Sequence, residues 1–332
     1  MQTGATQMKL PWQRPSQPNT EPTTESGTST MTTGTNAPHF THVVKGAGVA
    51  QGMTLTGKKR LLAGPPATKD VPLIIALHGG TYSSTYFDIP GYSLLDRAAA
   101  AGIPIIALDR PGYVGSTPLA PEDATILNNA AVLDQAIGEI WQAHGTGTAG
   151  VVLVGHSIGG AIVTDIAGNH PAWPLLGIAI SGCLLKVPSD SRDQWSTLPN
   201  IPMIDLPVGM KDQVMFGPPG TYDDGMPARS HPANTLVPRA ELIDITTTWI
   251  ERVRSVAAQV RVPVYSRQGQ FDHLWITDAQ QVGEFGAAFT ASPCVDAQLM
   301  PYAGHCIDFH RQGAGFQLGQ LAFALQCGVK AT

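Results

Sequence analysis

Six short apolar runs recur along the chain: VPLIIALHGG from Val71, IPIIALDRPG from Ile103, GVVLVGHS from Gly150, PLLGIAISG from Pro174, VPVYSRQG from Val262 and DAQLMPYAG from Asp296. Each is bounded by Gly or Pro, the pattern of parallel strands covered on both faces. Ahead of them, HFTHVVKG at 39–46 and MTLTGKKRLL at 53–62 alternate polar and apolar positions, which predicts two half-exposed strands in a hairpin. Helical spacing of apolar residues falls between the runs, over Ser93–Ala101, Glu122–His144, Ile158–Asn169 and around Phe316–Cys327. Strands alternating with helices predict an α/β fold with a mostly parallel, doubly wound sheet. No internal repeat interrupts the series.

One interval breaks the rhythm. Residues 183–257 are too many for a plain crossover between two strands. Their first half is rich in Pro, Met and aromatics, and a helical stretch, RAELIDITTTWIERVRSVAAQV, follows from Arg239. Trp195, Met203, Met210, Met215, Phe216 and Met226 would be costly on a bare surface, so a cap (lid) over the sheet edge or a partner interface is favoured over a large surface loop. The expected organisation is a disordered Thr/Ser/Pro-rich tail at 1–38, a first core part at 39–182, the inserted cap at 183–257 and a second core part at 258–332. The tail holds too little apolar surface to offset its ordering entropy.

Composition changes this picture little. The 332 residues are 43% hydrophobic and 14% charged with a formal net charge of −5, so nothing favours nucleic acid or an anionic membrane. No stretch approaches the ~20 apolar residues of a membrane span. The tail has no apolar signal-peptide core, and Cys183, Cys294, Cys306 and Cys327 form no C-x-x-C pair; reduced thiols and a cytoplasmic location are expected. The expected partner is a small molecule. The cap could also serve as a subunit contact in a homo-oligomer.

The chemistry centres on Gly155-His156-Ser157-Ile158-Gly159, the chain's one G-x-S-x-G match. It lies directly after VVLV and directly before a helical pattern, the strand–turn–helix placement in which a serine hydroxyl is lifted off a sheet. Side chains at Gly155 or Gly159 would collide with neighbouring backbone, and the helix N-terminus would favour an oxyanion. A plain tight turn is the competing reading. A serine nucleophile needs a base and an acid that orients it. Among ten histidines, His156 is assigned to packing, His78 to bracing a loop and His231 to the cap, where it could touch substrate. His305 follows the last strand, with His310 as its nearest rival. Asp272 ends the strand VPVYSRQG; Asp190, Asp244 and Asp278 are the weaker candidates. Asp272 could instead cap a helix, and His305 could be a loop histidine.

The order Ser157, Asp272, His305, together with HGG at His78–Gly80, DRPGYVGS at Asp109–Ser116, GQFDHLW and YAGHC, resembles the α/β-hydrolase superfamily from about residue 40 to the end. The likeness implies an α/β-hydrolase fold of the serine esterase or lactonase type with a cap insertion. It implies Ser157 as nucleophile, His305 as base and Asp272 as its orienter. The oxyanion hole would be the N–H groups of Ile158 and Gly80 (or Thr81). Thr81, Trp195, Met215, Phe216 and His231 are the expected substrate contacts. Neither metal nor cofactor is expected, because no H-E-x-x-H or cysteine cluster occurs and GHSIGG lacks a phosphate loop's Lys-Ser/Thr ending. An ester or lactone in an uncharged, largely apolar molecule fits best. A macrocyclic, zearalenone-type lactone, a carbon–carbon bond substrate and ligand reception without turnover stay open.

Overall fold

The apolar runs become strands because each can pair on both edges and be covered on both faces. The computed structural model describes residues 37–64 and 66–329. Strands β1 (His39–Val43) and β2 (Thr54–Arg60) form the hairpin, followed by β3 (Leu73–Leu77), helix α1 (Leu94–Ala100), β4 (Ile105–Leu108), α2 (Ile126–His144), β5 (Val151–His156), α3 (Ile158–Gly168) and β6 (Leu175–Ser181). Then come α4 (Ser189–Ser196), β7 (Met203–Ile204), α5 (Val208–Met215), α6 (Met226–Ser230), β8 (Val237–Pro238), α7 (Arg239–Asp244) and α8 (Thr248–Ala257). The chain returns to the main sheet with β9 (Val264–Gly269), α9 (Ala279–Ala288), β10 (Val295–Met300) and α10 (Gly313–Gly328).

The main sheet has eight strands in the order β1-β2-β4-β3-β5-β6-β9-β10. Only β2 runs against its neighbours; from β4 to β10 every pairing is parallel. Successive residues of β3 feed opposite cores: Leu73, Ile75 and Leu77 join one apolar cluster, Ile74 and Ala76 the other. The parallel strands therefore all end on one edge, where α/β proteins place their sites. β3 ends before His78-Gly79-Gly80, β5 at Ser157, β6 at Gly182, β9 before Asp272, and β10 before His305.

Helix starts follow local chemistry. Ser93 caps α1 through Asp96 N–H, and Thr125 caps α2 through Asn128 N–H, so α2 begins at Ile126 rather than at Glu122 as its spacing predicts. The stretch from Arg239 is two helices rather than one. It breaks at Thr246-Thr247-Thr248, where the Thr246 and Thr247 hydroxyls donate to the Ile243 carbonyl at 3.1 and 2.7 Å and Thr247 leaves helical geometry (φ −125°, ψ −93°). β-branched residues whose hydroxyls bond the preceding turn weaken a helix in this way. Helix α9, which the apolar spacing does not mark, is capped by Asp278, whose side chain accepts from Gln281 N–H at 2.7 Å.

The expected disordered tail lies outside the described residues except for Ala37 and Pro38. Ala37 is buried and donates its N–H to Asp88 Oδ2 at 2.9 Å. All four cysteines are free. No helix among the described residues is long and apolar enough to cross a membrane.

Candidate active site

Ser157 stands between β5 and α3 at φ 55° and ψ −121°, a left-handed backbone that a residue with a Cβ rarely adopts. The turn survives because it is packed on every side. A Cβ on Gly155 would stand 2.4 Å from Gly159 O, one on Gly159 would stand 2.1 Å from Leu77 O, and one on Gly79 would stand 2.8 Å from Ser157 Cβ. Gly159→Ala is accordingly expected to lower the unfolding free energy by about 1–3 kcal/mol or more, measured in urea. Gly315→Ala is the control; it meets nothing within 4 Å in the interior of α10 and should be neutral or stabilising.

His305 and Asp272 come together. His305 Nδ1 donates to Asp272 Oδ2 at 2.6 Å, which leaves Nε2 as the ring's free acceptor. Asp272 is buried and fully engaged: Oδ2 also accepts from Gln268 Nε2 at 2.6 Å, and Oδ1 accepts from Leu274 N–H at 2.8 Å. It caps no helix. The ring of His305 has only 1% exposure and does not line the adjoining cavity. Among the described residues Ser157 Oγ makes no hydrogen bond to it; such bonds are often unformed without substrate. Gly182, at φ 63°, gives the ring its space, since a Cβ there would lie 2.8 Å from His305 Cε1. That glycine was not singled out in the sequence, although GIAISG ends on it.

The competing residues are all occupied elsewhere. Asp244 Oδ2 accepts from Ile126 N–H at 2.7 Å at the start of α2, and Asp190 is exposed on α4. His310 Nε2 accepts from the N–H groups of Gly304 (2.9 Å) and Gly217 (3.1 Å) while Nδ1 donates to Cys306 O; burial pulls its pKa down to about 4. His78 Nε2 accepts from Arg110 N–H at 3.1 Å, so its proton sits on Nδ1 and is donated to Gly79 O. That is the bracing role expected of it. His156 stacks on Tyr86 with ring centroids 4.6 Å apart, and burial, reinforced by His305 4.8 Å away, keeps it neutral. Cys306 is buried, and its burial raises the thiol pKa, which fits packing rather than nucleophilic chemistry.

A cavity of about 710 Å³ opens above Ser157. Gly80, Thr81, Ser157 and Ile158 form its sheet side, and side chains drawn from within 187–215 and 242–246, with Leu274 and Trp275, form the rest. Most of these are apolar; the polar side chains are Thr81, Ser157, Gln194, Asp205, Lys211 and Thr246. Trp195 and Met215 line it as expected. Phe216 and His231 do not: Phe216 is packed inward against Tyr222 and His310, and His231 is turned to Asp212 with Nε2 and Oδ2 3.0 Å apart. Sequence position does not reveal which way a side chain turns, and neither Phe216 nor His231 borders the cavity expected to hold substrate.

Lys211 is a lining residue that sequence reasoning missed. Nothing in VGMKDQVM marks its lysine as buried, yet Lys211 has 3% exposure. Burial brings its amine down to about 7, against the opposing pull of Cys306 and then of Asp212 and Asp205. The folded state then binds fewer protons than the unfolded chain between pH ~7 and the free-lysine value near 10.4. This lysine should make stability rise with pH across that window, by a few kcal/mol at most. Urea midpoints from pH 7 to 10, wild type minus Lys211→Met, test the sign.

A model of the Alpha/beta hydrolase family matches residues 74–315. Among curated proteins, the protein phosphatase methylesterase 1 of Gibberella zeae is 37% identical over 101 residues, 29% of this chain and 24% of that protein. The Homo sapiens protein of the same name is 27% identical over 117 residues, covering 35% and 28%. The matched stretch thus spans about a quarter of these relatives. Solved structures of similar fold include a Thermogutta terrifontis esterase (TM-score 0.63, 15% identity, covering 88% of this chain and 100% of that one). A Paleococcus ferrophilus monoacylglycerol lipase gives a TM-score of 0.57 at 18% identity, covering 81% and 99%.

Proposed function

Because the chain belongs to the alpha/beta hydrolase family, we propose that it is a serine hydrolase cleaving a carboxylic ester or lactone in an uncharged, largely apolar small molecule. The observation that carries this reading is the buried His305 Nδ1–Asp272 Oδ2 hydrogen bond of 2.6 Å, held at the same sheet edge as the strained Ser157 turn. In this mechanism Nε2 of His305 takes the Ser157 proton as Oγ attacks the carbonyl carbon. Asp272 fixes the tautomer and stabilises the imidazolium. The developing oxyanion is met by Ile158 N–H at the start of α3 and by Gly80 or Thr81 N–H. Neither of the latter two donates to another group among the described residues. His305 returns the proton to the leaving alcohol, and water repeats the attack on the acyl-enzyme. In a lactone the leaving oxygen stays tethered, and the product is one hydroxy acid.

Residues 183–257 act as a cap in this reading, between core parts 39–182 and 258–332, because they supply most of the apolar wall above Ser157. An apolar cavity of this size takes a small molecule with a hydrophobic body. The similarity to methylesterases favours methyl esters among the substrates to be tried first.

Fluorophosphonate labelling mapped by mass spectrometry tests the proposal. Wild type should carry the label on Ser157 and Ser157→Ala should carry none. A panel of methyl and aryl esters, small and macrocyclic lactones and a chromogenic dienoate then sorts ester, lactone and carbon–carbon cleavage. Folded wild type that stays unlabelled and releases no acid from any ester or lactone would reject the hydrolase reading in favour of ligand reception.

A further inference from the structure

The loop that offers Gly80 and Thr81 N–H is held from the inserted segment, by a lysine. Thr81 has φ 63° and is buried. A β-branched residue in that region persists only when its surroundings over-determine it. Three successive positions are tied down. Thr81 O accepts from Thr235 N–H at 3.0 Å, Tyr82 makes an isolated β-bridge with Asn234, and Ser83 N–H donates to Ala233 O at 2.9 Å. Lys211, on α5, sits at the centre of this stitch. Its amine donates to Thr81 O at 2.6 Å and to Asn234 Oδ1, and stands 3.4 Å from the centroid of the Tyr82 ring.

Two features set this lysine apart from ordinary packing. It forms no ion pair among the described residues, and a buried amine without one is an expensive way to fill space. Its nitrogen is also fully engaged by the wall, donating to Thr81 O and Asn234 Oδ1 and lying over the Tyr82 ring. Protonated or neutral, it keeps at least two N–H groups for its two oxygen acceptors.

We infer that Lys211 is a positioning residue: its amine fixes the Thr81 carbonyl, and through the Thr81 backbone it steadies the two preceding peptides, whose Gly80 and Thr81 N–H groups face the oxyanion. The inference rests on the hydrolase reading above and deepens it. The inserted segment then does more than enclose substrate; α5 completes the site from 130 residues away along the chain. Removing the amine leaves Thr81 O its bond from Thr235 and leaves Asn234, which is partly exposed, free to meet water. The fold should hold while the loop relaxes, and a small misplacement of a catalytic donor is costly in rate.

The test compares wild type, Lys211→Met, Asn234→Ala and Ser157→Ala on p-nitrophenyl butyrate, with urea unfolding of each at pH 7. The expected result for Lys211→Met is kcat down about 10- to 100-fold, KM within about threefold and the urea midpoint equal to or above wild type. Asn234→Ala should lower kcat in the same direction by a smaller factor. A folded Lys211→Met with wild-type kcat, or one whose kcat loss comes with a matching loss of stability, overturns the inference. If Lys211→Met does not fold, unchanged kcat in Asn234→Ala overturns it instead. Wild type no faster than Ser157→Ala would overturn the hydrolase reading itself, and this inference with it.

Discussion

Ser157→Ala is expected to lower kcat on any ester substrate by about 10⁴- to 10⁶-fold while the protein stays folded. Alanine keeps the Cβ for which the bare Gly79 leaves room and removes only the oxygen, so packing at the turn is unchanged. His305→Ala should cost a similar factor, and Ser157→Ala combined with His305→Ala should cost little more than either alone, because the two act as one proton-transfer unit. Asp272→Asn should cost about 10⁴-fold: the amide leaves His305 Nδ1 without a carboxylate and offers it a donor, which turns the ring toward the wrong tautomer. Steady-state kinetics on the four proteins decide this. Independent, multiplying losses would mean that the residues do not work together. Ser157→Gly separates strain from chemistry. It should be as inactive as alanine but no less stable, since relief of a left-handed residue, about 1–3 kcal/mol, outweighs or matches the ~1 kcal/mol of added chain entropy.

The largest effect on stability is expected at Arg110. Its guanidinium grips Glu241 of α7 at both ends, Nη1 to Oε1 at 2.6 Å and Nη2 to Oε2 at 2.9 Å, and Tyr113 donates its hydroxyl to Oε2 at 2.7 Å. Both ionic side chains are wholly inaccessible. Burial works to lower the Arg110 pKa, and the facing Glu241 overrides it, so the arginine stays charged. Arg110 Nε also donates to His78 O at 2.9 Å, which ties the pair to the loop ahead of Gly80. Glu241→Ala strands a cation in the interior and should cost about 3–5 kcal/mol in urea unfolding. The paired change Arg110→Met with Glu241→Leu should recover much of that loss, because neither charge is then stranded. A loss in Glu241→Ala below 1 kcal/mol would mean that water reaches the pair. The pair joins the core to the inserted segment, so Glu241→Ala should also reduce activity.

Much of this was legible in the sequence, for local reasons. Gly155, Gly159 and the run VVLV specify a strand–turn–helix within a dozen residues, and a parallel sheet carries every strand end to one edge, which gathers Ser157, Asp272 and His305 there. His78 was legible as a brace because a glycine-rich strand end needs one. Inside the inserted segment the same reasoning fails. Its fold depends on what it packs against, so Phe216 and His231 turn away from the cavity while Lys211 is buried in its wall. Leu274 and Trp275 line the cavity only because the Asp272 turn carries them there. The break between α7 and α8 was written in Thr246-Thr247-Thr248, but apolar spacing alone runs straight across it.

The eight-stranded order has a consequence for how the protein is made. Synthesis runs from β1 to β10, so the serine and its elbow emerge long before Asp272 and His305, which arrive with the last two strands of the sheet. Arg110 likewise waits 131 residues for Glu241. A nascent or truncated chain can therefore display the complete G-x-S-x-G motif and have no activated serine. Contacts between such distant segments also form slowly, after the early strands have already collapsed. On the proposed mechanism, Ser157 would become reactive only once Asp272 and His305 have been made and have docked at the sheet edge, so labelling at Ser157 would report assembly of the last two strands.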